Sequence, residues 1–108
     1  MDGYALVVRF TLEPGHETAF DALVAETLDG IRAHEPGTLV YASHRPDGEP
    51  GVRVFYELYR DRAAFDEHER QPHTRRFLAE RGHHVAAIAV DVLQLVEGAD
   101  AYGLPPQR

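Results

Sequence analysis

Two histidines, a carboxylate set within an apolar run and a series of aromatic rings fall within residues 52–77 of this 108-residue chain, VRVFYELYRDRAAFDEHERQPHTRRF. His68 and His73 carry imidazoles, the side chain best suited to take up and release a proton near neutral pH. Glu57 is the one acid in an otherwise apolar run, and a carboxylate beside an imidazole orients it and stabilises its charged form. Phe55, Tyr56, Tyr59, Phe65 and Phe77 lie among these groups, with Tyr41 upstream. Such rings stack on planar molecules. If the set converges, it builds an apolar cavity with a few polar groups. Each residue also has a plain structural reading. His68 is then a half-buried histidine bonded to Glu57 or to a backbone carbonyl, and Glu57 a buried pair or a sheet-edge acid. His73 is the start of a helix after Pro72, and the rings are core.

The elements that must position these groups follow from periodicity. Val52, Val54, Tyr56 and Leu58 alternate with Arg53, Phe55, Glu57 and Tyr59, which predicts a strand. Asp61 then caps a helix that carries Ala64, Phe65 and His68 on one face, and Pro72 ends it. A second helical piece, with His73, Phe77 and Leu78, runs to about Gly82. Upstream, residues 4–12 alternate as a strand and Glu13-Pro14-Gly15 turns the chain. Residues 16–34 form a helix with a stripe of Ala19, Phe20, Leu23, Val24, Leu28 and Ile31. Gly30 reads as a mild weakness in it, about 1 kcal/mol relative to Ala. Glu35-Pro36-Gly37 closes the helix. Residues 38–45 form a strand that pairs with residues 52–59 as an antiparallel hairpin across the turn at 46–51. A last strand spans residues 85–96.

The order β-α-β-β-α-β, with its second helix broken, predicts an α+β, ferredoxin-like fold: an antiparallel four-stranded sheet with helices on one face. If Leu6, Val8 and Phe10 face the helices, Phe55, Glu57 and Tyr59 share that side. Val54, Tyr56 and Leu58 take the other side, and a one-residue slip reverses this. The strands are apolar on both faces, so the open face, with Val7 and Tyr56, calls for a cover. A homodimer through that face provides it.

Composition limits the functions available. The length suits one domain, taken as residues 1–98 with a tail at 99–108. Eleven basic against 18 acidic residues give a net charge of −7. The acids are scattered, which argues against nucleic-acid binding. There is no Cys, hence no thiol nucleophile, no disulfide framework and no thiolate metal site, which fits the cytoplasm. The seven histidines show neither the His-x3-His spacing nor a tight ligand cluster, so no metal site is expected. The start is not a signal peptide, and no apolar run approaches the roughly 18 residues that span a membrane.

Three groups of residues then fall in a telling order. They are Glu35-Pro36-Gly37-Thr38-Leu39-Val40-Tyr41, Phe55-Tyr56-Glu57-Leu58-Tyr59-Arg60-Asp61, and Ala64-Phe65 followed by His68, Pro72-His73 and Phe77. In order and spacing they resemble the antibiotic biosynthesis monooxygenase family, and within it the small quinol-monooxygenase-like branch. The resemblance covers about residues 4–96. It implies a dimeric α+β barrel with a pocket in each subunit between sheet and helices. It also implies oxygenation of quinols or polyketide-like phenols by O2 with neither metal nor flavin. Relatives that degrade haem lean on a Trp, an Asn and a His; this chain has neither Trp nor Asn, and Tyr59 stands where many oxygenases place the Trp.

The chemistry can be stated from the groups alone. The anion of a hydroquinone or anthrone-type phenol is rich enough to pass an electron to O2 itself. The protein then binds the ring, removes a proton and stabilises the anion. His68 is the expected base and Glu57 its partner. Tyr41, Phe55, Tyr59, Phe65, His73 and Phe77 are the expected substrate-binding residues. Two other readings stay open: an isomerase or detoxifying enzyme for a small carbonyl signalling compound, and a ligand-binding dimer without chemistry.

Overall fold

A computed structural model describes residues 3–98. Its elements are β1 (Tyr4–Leu12), α1 (Glu17–His34), β2 (Thr38–His44), β3 (Val52–Tyr59), α2 (Arg62–Arg70), α3 (Pro72–Glu80) and β4 (Val85–Gln94). A 3-10 turn, Arg81–His83, joins α3 to β4. The strands form one sheet in the order β2-β3-β1-β4, every neighbour antiparallel. This is the ferredoxin-like arrangement the element order predicts. The tail at 99–108 lies outside the described residues.

Register decides which side chains meet the helices. Val8 stands opposite Phe55 and Leu6 opposite Glu57, so these four share a face. Leu6, Val8 and Phe10 pack with Phe55 and Tyr59 against Phe20, Leu23 and Val24 of α1 and Phe77 of α3. The expected strand parity is the one found. Phe10, Phe20, Phe55 and Phe77 form a knot of rings with centroids 4.9–6.2 Å apart, edge-on or tilted as ring quadrupoles prefer.

Local chemistry fixes the helices over this core. Arg53, buried on the helix side of β3, grips Asp21 of α1 with two bonds of 2.9 and 3.0 Å. Such a fork-to-fork pair sets an angle as well as a distance. Asp61 accepts from the backbone N–H of Ala64 at 2.8 Å, so it caps α2 as expected, which is worth about 1 kcal/mol. Pro72 opens α3, where its missing N–H costs nothing. β4 ends at Gln94 rather than near residue 96 because Gln94 pairs with Tyr4, where β1 begins. Among the described residues no strand lies beyond it to accept further bonds.

The open face differs in detail from expectation. Leu58, expected to await a partner, is 3 % exposed and clusters with Ala5 under Leu39, Val40, Tyr56 and Leu95 of the same chain. Val7 and Tyr56 are half-buried. Exposed apolar surface gathers instead on the edge strand β4. Leu93 lies on its open face, and Ile88, Val90 and Val92, opposite Phe10, Val8 and Leu6, lie on its helix-side face. Among the described residues no helix is long and apolar enough to cross a membrane.

Candidate active site

Between the sheet and helices α2 and α3 lies a cavity of about 200 Å³. Its floor is Leu6, Val8, Phe10 and Glu57 of the sheet, and its walls include Tyr41, Phe65, His68, Thr74 and Phe77. Leu78, Arg81, Glu69 and Val90 stand around these. Five of the eight side chains singled out in the sequence therefore meet here: Tyr41, Glu57, Phe65, His68 and Phe77. Phe55 and Tyr59 lie beneath, fully buried in the core. His73 stands outside, in a separate recess between α1 and α3 with Leu23, Thr27 and Arg76.

His68 does not pair with Glu57, as the sequence suggested. Its Nδ1 is 2.7 Å from Oε1 of Glu35, a residue that the sequence placed in a helix stop and in the family pattern but not at the site. Both side chains are almost wholly withdrawn from solvent. The other carboxylate oxygen of Glu35 bonds Nε2 of His73, and Thr38 donates to Oε1 at 2.6 Å. A carboxylate only accepts, so His68 carries an N–H on Nδ1 and His73 one on Nε2. In the neutral imidazole of His68 the lone pair then sits on Nε2. Tyr41, Tyr59 and Phe65 surround this ring at centroid distances of 5.4, 5.2 and 6.4 Å.

The Glu-Pro-Gly turn builds this arrangement residue by residue. Pro36 disfavours helical backbone at Glu35, which leaves the helix at φ −123° and ψ 76°. Gly37 has no side chain, and a Cβ there would lie 2.7 Å from Cβ of Ala64, so α2 can close on the turn and bring His68 to Glu35. Gly30 plays the same part for α3. A Cβ on it would lie 2.3 Å from Cγ of His73. The mild weakness read into Gly30 is thus the opening through which His73 reaches Glu35.

Two carboxyls in one site are driven in opposite directions. Burial alone would raise the pKa of Glu35, but the hydrogen bonds from His68, Thr38 and His73 outweigh it and hold the group at about 2. For Glu57, burial wins and pushes the pKa up. The bond donated by Tyr59 Oη at 2.6 Å and the nearby charge of His68 only partly oppose it. Burial, reinforced by the charge of Glu57, raises the phenols of Tyr41 and Tyr59 too, so both are hydroxyl donors at neutral pH.

Sequence reasoning missed Glu35, Thr38, Thr74 and Arg81. Glu35 alone carried a signal: an acid at a helix C-terminus, where the dipole disfavours it. Among the described residues no group of three or more His, Asp or Glu gathers as a metal-ligand set. His16 and His84 do meet, their Nδ1 atoms 3.0 Å apart, and tie the start of α1 to the start of β4.

Comparison with known proteins agrees with the fold. Residues 3–80 match the family model described as antibiotic biosynthesis monooxygenase. A protein of Mycobacterium tuberculosis named putative monooxygenase Rv0793 is 33 % identical over 98 residues, covering 90 % of this chain and 95 % of its own length. The solved structure of Rv0793 matches with a TM-score of 0.82 at 31 % identity, over 90 % of this chain and 98 % of that one. A Caulobacter crescentus structure described as a putative antibiotic biosynthesis monooxygenase matches with a TM-score of 0.83 at 27 % identity, over 89 % and 92 % of the two chains. By the span of the family match and by its relatives, the chain belongs to the antibiotic biosynthesis monooxygenase family.

Proposed function

We propose that this chain oxygenates an electron-rich phenol or quinol with O2, without metal or flavin, in the cavity between sheet and helices. The observation that carries this reading is His68. Its Nδ1–H is committed to the ionised Glu35, which leaves Nε2 free to accept a proton and stabilises the imidazolium that results. The substrate hydroxyl gives its proton to Nε2, and the anion passes electrons to O2. A C–O bond forms at the ring, the O–O bond breaks, one oxygen stays on the product and the other leaves as water. Both protons of that water come from the substrate. A quinol oxidised to a hydroxyquinone, or an anthrone to an anthraquinone, loses four electrons, and O2 accepts four. No external reductant enters the balance. Tyr41, Phe65 and Phe77 hold the ring, and Glu57 faces it from β3.

The test is oxygen uptake in chelator-treated buffer with a freshly reduced naphthoquinol, His68→Ala run beside the native protein. Uptake well above autoxidation, indifferent to chelator and reduced at least a hundredfold in the variant, is expected. Uptake that persists in His68→Ala removes the base assigned here, and no uptake with any quinol sinks the reading as a whole.

The same reading includes a homodimer. Leu93 on the open face of β4 and half-buried Val7 and Tyr56 beside it supply apolar surface for a second copy. Sedimentation equilibrium tests it; a monomer at micromolar concentration refutes it.

A further inference from the structure

Arg81 is the cation that the proposed reaction leaves unused. It opens the 3-10 turn after α3, and its guanidinium lies over the rings of Phe10 and Phe77, 5.8 and 6.0 Å from their centroids. Arg9, Arg32, Arg53, Arg62, Arg70 and Arg76 each hold a carboxylate. Among the described residues Arg45, Arg60, Arg75 and Arg81 hold none, and of these four Arg81 alone lines the cavity. Two acids share its cavity: Glu57, already bonded by Tyr59 and pushed by burial toward its neutral form, and Glu69, exposed on α2. Neither forms an ion pair with it. Arg81 and Leu78 also line a second recess, along Val85 to Ile88, so the guanidinium stands where the two hollows meet.

We propose that Arg81 selects substrates bearing an acidic group, so that the molecule oxygenated is an aromatic phenol or quinol with a carboxylate. This rests on the functional reading of the same cavity. The ring lies over Val8 and Phe77 with its hydroxyl toward His68, and the carboxylate turns outward to the guanidinium between the recesses. Stacking on two rings holds the planar fork in place before a ligand arrives, so little ordering is lost when a carboxylate docks. The chain carries a net charge of −7 and repels anions at long range. A cation without a carboxylate partner, set in an apolar hollow, reverses that locally.

Equilibrium binding of two ligands that do not consume oxygen tests the idea apart from catalysis: 1-hydroxy-2-naphthoate and 1-naphthol, titrated calorimetrically into the native protein, Arg81→Met and Arg81→Lys. The native protein is expected to bind the naphthoate roughly ten- to a hundredfold more tightly, the range of a charge-assisted bond. Arg81→Met brings the two dissociation constants to within about threefold, and Arg81→Lys keeps part of the difference. Equal affinities in the native protein, binding of neither ligand, or a preference that survives Arg81→Met overturns the proposal. A cover for the core without selectivity would weaken both ligands alike and leave their ratio intact. If the preference is found while no quinol consumes oxygen, the acid site stands and the oxygenase reading falls.

Discussion

Gly30→Ala is expected to destabilise this protein, although the same change in an ordinary helix interior stabilises by about 1 kcal/mol. The new Cβ would stand 2.3 Å from Cγ, 2.4 Å from Nδ1 and 2.8 Å from Cβ of His73. Because the Cβ of His73 is itself too close, rotating its ring away does not clear the contact, and α1 and α3 must separate. Overpacking of this kind costs roughly 1–3 kcal/mol. The retreat of His73 also weakens a charge-assisted bond to Glu35, which is worth roughly 1.5–3 kcal/mol. Set against the helix gain, the net loss is about 2 kcal/mol, or a fall in Tm of roughly 8–15 °C. Thermal and urea unfolding of the native protein, the two single variants and Gly30→Ala/His73→Ala measure it. Without the ring only the 2.8 Å approach to Cβ of residue 73 remains. A smaller separation of α1 and α3 clears it and the helix gain of alanine largely offsets it, so the alanine at position 30 should cost under about 1 kcal/mol, leaving a coupling of at least that size. A higher Tm for Gly30→Ala, or two changes that add within about 0.5 kcal/mol, refutes the reasoning.

Two further outcomes follow from the carboxyls. Glu35 is lowered from 4.5 to about 2, so its stabilisation is fully present above pH 4.5 and is lost as pH falls from there toward 2. The shift corresponds to about 3 kcal/mol, and urea midpoints between pH 7 and 2.5 should show a loss of that order, absent in Glu35→Gln. Glu57 has the opposite sign: its raised pKa makes the folded state favour the protonated form, so stability declines as pH rises above the unfolded value. Glu57→Gln, whose amide oxygen still accepts from Tyr59, should therefore raise Tm at pH 8 and change it little at pH 4; a lower Tm at pH 8 contradicts the assignment.

Much of the frame was legible because it rests on short-range patterns. The period of two in β1 and β3, the cap at Asp61 and the break at Pro72 are read within a few residues and recur in the fold. Parity in β3 correctly put Glu57 on the helix side. Parity gives a face and not a depth, however: Phe55 and Tyr59 share that face and are core, while Tyr41, on the neighbouring strand, reaches the cavity. The partner of His68 was out of reach for another reason. Glu35 lies 33 positions from His68 and 38 from His73, and its selection depends on two glycines whose role is the absence of a side chain. Arg81 carried no local pattern at all.

The two carboxyls divide the work of the proposed reaction. Glu35 accepts from three side chains and does not line the cavity, so it stays ionised and acts only through His68. Glu57 lines the cavity and is pushed toward holding a proton. Oxygenation takes a proton from the substrate first and returns protons only when the second oxygen leaves as water. Between those moments a proton needs somewhere to rest, and His68 and Glu57 are the groups at the ring able to carry one. Environments that separate two titratable groups are how acid and base roles are assigned within one site. A structural acid would be replaced by Gln at no loss of turnover. A proton carrier that burial works against predicts the reverse, with Glu57→Gln gaining in Tm and losing in kcat.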